Sequence, residues 1–134
     1  MVGAVIITHG RVAESLVGAA ESITGKLERV RIMSVKGTDT TEGIREVLAG
    51  TVKEVDAGKG VIIFTDMFGG TPTNIALSLL EEDRVEVITG VNLPILLKFV
   101  SHRTEKPLAE LALFLKEYGR ESIVLAGNVL KEKK

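Results

Sequence analysis

A doubly wound α/β fold, with a mostly parallel sheet of four to five strands and helices on both faces, is what this chain of 134 residues predicts. Three observations carry that prediction. Short apolar runs alternate with segments whose apolar residues recur at helical spacing, the pattern of strands joined by crossover helices. One run, Val61 to Phe64, consists wholly of β-branched and aromatic residues, which suits a strand covered on both faces of a parallel sheet. Glycine or proline stands at most of the junctions between these segments.

The first apolar run, Ala4 to Ile7, predicts a strand that ends in Thr8-His9-Gly10. Val12 to Ile23 carries apolar residues at 12, 13, 16, 17, 20 and 23, a helical period, with Gly25 placed as its C-cap. Val30 to Val35 alternates, with Val30 and Ile32 on one side and Arg31, Met33 and Val35 on the other, as an edge strand would. Asp39 and Glu42 are spaced as a capping pair before a helix whose stripe is Ile44, Val47, Leu48, Val52 and Val55. Gly58-Lys59-Gly60 breaks the chain ahead of the central strand. Beyond it, Thr71 reads as an N-cap and Pro72 as a first helical residue, which predicts a helix over 72–80. Val85 to Ile88 is the fourth strand. Asn92 and Pro94 start a helix carrying Ile95, Leu96, Phe99 and Val100, and Pro107 starts another that Gly119 closes. The apolar run Ser122 to Ala126 predicts a short last strand, and the Lys-Glu-Lys-Lys tail at 131–134 a solvated end.

Composition narrows the classes of function. The length fits a single domain, 1–134, with a real core, and 45% hydrophobic residues weigh against disorder. A net charge of −1 weighs against broad electrostatic capture of nucleic acid. With no cysteine there is no disulfide or thiolate chemistry, which fits a reducing cytoplasm; with two histidines as well, a structural zinc site is not expected. No apolar run approaches the roughly 20 residues that span a bilayer. Met1-Val2-Gly3 runs into the first strand without the basic region of a signal peptide.

The first and third strands both end in residues that carry chemistry. If they are parallel neighbours, His9 and Asp66 emerge at the same sheet edge, each followed by a helix N-terminus. A carboxylate that accepts the proton of one ring nitrogen fixes the tautomer and frees the lone pair of the other as a directed nucleophile. Gly69 and Gly70 let backbone come close to a ligand, and their N–H groups with the Thr71 hydroxyl suit the oxygens of a phosphoryl group. Taken singly, Asp66 with the two glycines is equally a tight turn and His9 a turn histidine. Together they favour chemistry.

The segments VIITHG at 5–10, TDMFGGTPTN at 65–74 and TGVNLPIL at 89–96 resemble the enzyme IIA component of the mannose-family phosphoenolpyruvate-dependent sugar phosphotransferase system. The Asp-x-Phe-Gly-Gly-Thr-Pro segment is the most specific of these, and the likeness runs over nearly the whole chain. The resemblance implies that His9 takes a phosphoryl group from the phosphocarrier HPr and passes it to a IIB domain. It implies Asp66 as the histidine-orienting aspartate and Thr71 as a hydroxyl near the phosphate, with no metal and no cofactor. It also implies a homodimer in which a C-terminal strand, here within 119–130, is exchanged. Because the chain stops at Lys134 without a IIB part, the IIB acceptor is expected to be a separate protein.

Two other classes were open to the same residues. A histidine-phosphatase-like phosphohydrolase also puts a His-Gly pair after its first strand, but it has arginine where Thr8 stands and needs a second histidine. His102, the other histidine, reads as a solvent or helix-end residue. A receiver-type signalling module would use Asp66 as phosphoryl acceptor, with an acidic pair after the first strand to hold magnesium; Thr8-His9 stands there instead. Asn92 reads as a helix cap or a second residue of the site edge, and Phe68 as a loop aromatic able to cover the site or meet a partner. The sugar is not legible.

Overall fold

The computed structural model describes residues 1–132. Strands β1 (Gly3–His9), β2 (Val30–Val35), β3 (Val61–Thr65) and β4 (Val85–Ile88) form one parallel sheet in the order β2-β1-β3-β4. Crossovers run through α1 (Val12–Thr24), α2 (Thr41–Val55) and α3 (Gly70–Leu77), and α4 (Leu93–His102), α5 (Leu108–Glu121) and α6 (Ala126–Glu132) follow. The expected doubly wound α/β class holds, with four strands.

The sheet is covered on both sides because its central strands are apolar throughout Ala4–Ile7 and Val61–Phe64. Ala4 and Ile6 of β1, with Ile62 and Phe64 of β3, face one core with Ala13, Phe99 and Leu111, which come from α1, α4 and α5. Val5, Ile7, Val61 and Ile63 face the other core, built with Ile44, Leu48 and Val52 of α2 and Ile75 of α3. The register sets Ala4 beside Ile62 and Ile6 beside Phe64, so like faces meet across the ladder. Phe64 and Phe99 pack edge to face with ring centroids 5.5 Å apart. β2 lies at an edge, and its burial falls off accordingly.

Strand order places a topological switch between β1 and β3: the chain leaves β1 toward β2 on one side and leaves β3 toward β4 on the other. Open α/β sheets bind ligands in the crevice at the carboxyl ends of such strands. His9 and the residues after Thr65 stand at that crevice.

Several helix boundaries differ from expectation, each for a local reason. Gly69 (φ 94°) and Gly70 (φ 81°) turn the chain so tightly that α3 begins at Gly70, with Gly69 rather than Thr71 at the N-cap. After Leu77 the backbone tightens into bonds three residues apart, from Ser78, Leu79 and Leu80 to Ile75, Ala76 and Leu77, so the helix stops short of Leu80. Thr40 caps α2 by accepting from the Gly43 N–H at 3.1 Å, while the Asp39 carboxylate accepts from the Lys36 N–H instead of forming the cap. Gly119 lies inside α5 and does not close it. A Cβ there would come within 2.6 Å of the Ile95 side chain, so the glycine serves the contact between α4 and α5.

The expected strand over Ser122–Ala126 is absent. Ser122 ends α5, its hydroxyl donating to the Gly119 carbonyl, and α6 starts at Ala126. Among the described residues this segment pairs with no strand, and it meets backbone hydrogen bonds locally, as in Val129 N–H to the Leu125 carbonyl. Ile123, Val124, Leu125 and Leu130 are left exposed. The tail expected to be solvated has Lys131 exposed at the end of α6, and residues 133–134 lie outside the described residues.

Candidate functional site

Strand geometry delivers His9 to Asp66. Along β1 the odd-numbered residues turn their N–H groups toward β3 and the even ones toward β2: Gly3 donates to the Gly60 carbonyl, Ala4 to that of Arg29. The β1–β3 ladder ends at Ile7 and Thr65. His9 is next in the odd series, and its main-chain N–H finds the Asp66 carboxylate in place of a strand carbonyl, at 3.1 Å to Oδ2. The ring turns to the same oxygen, Nδ1 to Oδ2 at 2.9 Å. One carboxylate oxygen thus holds both the backbone and the imidazole of His9.

That contact fixes the chemistry of the ring. With Nδ1–H donating to Asp66, the neutral imidazole carries its lone pair on Nε2. Nε2 faces Gly70: a Cβ built on Gly70 would lie 3.2 Å from Cε1 and 3.4 Å from Nε2. Only glycine leaves that edge of the ring free, and its positive φ is also one that L side chains rarely adopt. Gly70 and Thr71 belong to the first turn of α3, whose N–H groups have no acceptor within the helix. Thr71 is exposed beside them. The His9 side chain is 49% exposed and that of Asp66 16%, so the ring is open while the carboxylate that holds it is sheltered.

Burial works against the charged form of Asp66, but the hydrogen bonds from the His9 ring and main chain, with the electrostatic attraction of His9, outweigh it. The carboxyl is held below its ordinary 3.8. Its second oxygen, Oδ1, is buried and has no hydrogen-bond partner among the described residues.

Three buried threonines, which sequence reasoning did not single out, hold the loops around this pair. The Thr8 hydroxyl accepts the Ala13 N–H at 2.8 Å and so caps the start of α1 from within β1. Thr65 and Thr73 share a hydrogen bond at 2.8 Å, and the Thr73 hydroxyl also donates to the Met67 carbonyl. For Thr8 and Thr65 the available signal was a threonine at the end of an apolar strand; Thr73, inside α3, carried none.

The remaining candidates make no hydrogen bond to the ring among the described residues. Asn92 is the N-cap of α4, accepting from the Ile95 N–H at 2.9 Å. Phe68 is 76% exposed and, with Leu77, Val87, Thr89, Ala112 and Leu113, lines a groove of about 470 Å³ along β4 and α5. His102 sits at the far end of α4. Its neighbour Arg103 bonds Val2, ahead of β1, so His102 stands at the sheet edge opposite His9. Its ring packs on Phe114 at 4.7 Å. The second histidine that a phosphohydrolase would require is therefore not at this edge.

Among the described residues, no helix is long and apolar enough to cross a membrane. The family model EIIA-man, described as PTS system fructose IIA component, matches residues 3–115. The mannose-specific EIIAB component of the phosphotransferase system in Escherichia coli (strain K12) is 34% identical over 121 residues, 89% of this chain. The chain spans 38% of that relative's length. The fructose-specific EIIA component of Bacillus subtilis (strain 168) is 29% identical across 100% of this chain and 92% of its own. Among solved structures, the phosphotransferase system component EIIA of Streptococcus agalactiae superposes with a TM-score of 0.86 at 25% identity, covering 96% of this chain and 99% of that one.

Proposed function

The chain belongs to the EIIA-man family of phosphotransferase-system components, and from that premise we propose that it is a phosphoryl-transfer intermediate working through His9. In this reading His9 Nε2 attacks the phosphorus of phospho-HPr. The bond from phosphorus to the HPr nitrogen breaks as that to Nε2 forms, and the donor leaves with its electron pair. The phosphoryl group then passes from Nε2 to a IIB protein, for sugar uptake or for regulation, with the chain in the cytoplasm.

The observation that carries the proposal is the 2.9 Å contact of His9 Nδ1 with Asp66, which leaves Nε2 as the reactive nitrogen beside the start of α3. As Nε2 attacks, the ring becomes cationic, so the Asp66 carboxylate stabilises the transition state more than the ground state, the only kind of binding that speeds the step. The Gly69, Gly70 and Thr71 N–H groups and the Thr71 hydroxyl would receive the phosphoryl oxygens. No step calls on a metal or organic cofactor. Half-exposed His9, with Met67 and Phe68 exposed in the loop that follows Asp66, suits exchange with another protein's side chain.

The same reading includes a homodimer. β4 is the last strand in the sheet order, and the groove beside it adjoins exposed Leu113. Residues 119–130 of a second copy, with exposed Ile123, Val124 and Leu125, are the proposed cover. Whether they pair as a strand is decided at that edge, since a β-strand needs a neighbour.

The test is incubation with phosphoenolpyruvate, enzyme I and HPr, followed by mapping of acid-labile phosphate. Labelling should be lost in His9→Ala and kept in His102→Ala. Label that persists in His9→Ala would end this reading.

A further inference from the structure

We propose that the buried Thr65–Thr73 hydroxyl pair is a positioning device that sets the Asp66 carboxylate against His9, an inference that rests on the phosphoryl-transfer reading above. Asp66 follows Thr65 and precedes Met67, and both of those neighbours are tied to one side chain. Thr73, in the first turns of α3, is 1% exposed, and Thr65, the last residue of β3, is fully buried. The Thr73 hydroxyl gives its hydrogen to the Met67 carbonyl. Its oxygen is then left to accept from the Thr65 hydroxyl at 2.8 Å.

The consequence is a clamp with Asp66 in the middle. The residue before the carboxylate and the residue after it are both bound to the helix whose first residue, Gly70, borders His9 Nε2. Among the described residues the Thr73 hydroxyl bonds Thr65 and Met67 and not the ring, so it acts through the loop path. A simple structural explanation, a polar pair meeting its own hydrogen-bond needs, would be satisfied by any loop geometry. The placement on both sides of the one residue that orients the nucleophile goes further. Binding of Asp66 by a single oxygen, with Oδ1 left without a partner, gives the carboxylate little else to hold its rotation. Small displacements matter here, because misplacing a reacting group by about 1 Å can cost about 100-fold in rate.

The experiment uses the full chain with Thr73→Val, Thr73→Ser and Thr65→Val. Two readings are taken: nitrogen NMR of the isotope-labelled histidine ring in the unphosphorylated protein, and rapid-quench phosphorylation by phospho-HPr. Thr73→Val should admit the second tautomer of His9 and slow labelling by about 10- to 100-fold, while Thr73→Ser, which keeps the hydroxyl, restores the single tautomer and the rate. If Thr73→Val does not fold, Thr65→Val decides in its place. It keeps the bond to Met67 and should shift both readings the same way by less. A folded Thr73→Val with one tautomer and the wild-type rate overturns the proposal, as does a Thr73→Ser as impaired as valine. Should the wild type itself take no label from HPr, the phosphoryl-transfer reading fails, and the tautomer reading still decides whether the clamp sets the ring.

Discussion

Replacing Asp66 by alanine removes at once the acceptor for the His9 ring, the acceptor for its main-chain N–H and the negative charge beside a ring that would become cationic in the proposed transfer. The magnitude follows from the geometry. Two unit charges about 4 Å apart attract by about 1 kcal/mol in water and about 4 kcal/mol where the effective dielectric constant is near 20. With the ring half exposed and the carboxylate sheltered, the site lies between these limits, and exposure of the ring screens part of the gain. That range corresponds to a rate loss of about 5- to 1,000-fold. Asp66→Asn separates the contributions. An asparagine can keep its oxygen where Oδ2 lies, preserving both hydrogen bonds, and its amide nitrogen then falls where Oδ1 stands without a partner. It should lose the charge but keep the ring's tautomer, and so fall between wild type and alanine. Rapid-quench phosphorylation by HPr reads the rates, and nitrogen NMR of the His9 ring reads the tautomer. Wild-type rates in Asp66→Ala would refute the reasoning and leave Asp66 as a turn residue.

Other consequences are as direct. Gly70→Ala should slow phosphorylation by about 10-fold or more, because its Cβ would press on the reactive edge of the ring, and should cost about 1–2 kcal/mol of stability for the positive φ. Urea unfolding and single-turnover labelling read the two effects separately. Asp66 also makes stability pH-dependent. Its carboxyl is held below 3.8 in the folded chain, so its contribution is complete above that value and is lost as pH falls through the lower folded one. Urea midpoints followed from about pH 5 down to about pH 2.5 should fall less steeply in Asp66→Asn than in wild type; parallel curves would contradict this. Arg103 is buried and donates to the carbonyls of Val2, Glu28 and Arg29 while covering the face of Phe99, tying the N-terminal edge of the sheet together. Arg103→Ala should destabilise by about 2–5 kcal/mol in urea without changing the His9 tautomer. Light scattering should give twice the monomer mass for the full chain, and a truncation after Ser122, where α5 has ended, should lower it or aggregate; a full-length monomer at micromolar concentration would exclude the dimer.

The parts of the fold that the sequence made legible are those where one physical requirement dominates. Val61–Phe64 reads as a central strand because covering both faces demands an unbroken apolar run, and the same demand made Ala4–Ile7 its neighbour. His9 and Asp66 were legible as a pair because both lie just past such runs, where a parallel sheet brings chain ends together. Boundaries were less legible where two local signals competed. Thr71-Pro72 is a good helix start on propensity, but two left-handed glycines had already turned the chain into the helix two residues earlier. Gly119 resembles a helix end in sequence, yet its missing side chain makes room for Ile95 on a neighbouring helix, a requirement of packing. Ser122–Ala126 has strand composition but pairs with no strand among the described residues, and composition does not reveal whether a second copy supplies one. The Thr65–Thr73 pair was invisible because its partners are eight residues apart and meet only after the glycines reverse the chain.

The central claim is that Nε2 of His9 carries the phosphoryl group. Its most direct measurement is phosphorus and ring-nitrogen NMR of the full chain after phosphorylation by phosphoenolpyruvate, enzyme I and HPr. The account predicts one acid-labile phosphohistidine, bonded through Nε2, while Nδ1 keeps its proton toward Asp66. A phosphate on Nδ1, on His102, or on the Asp66 carboxylate would contradict it.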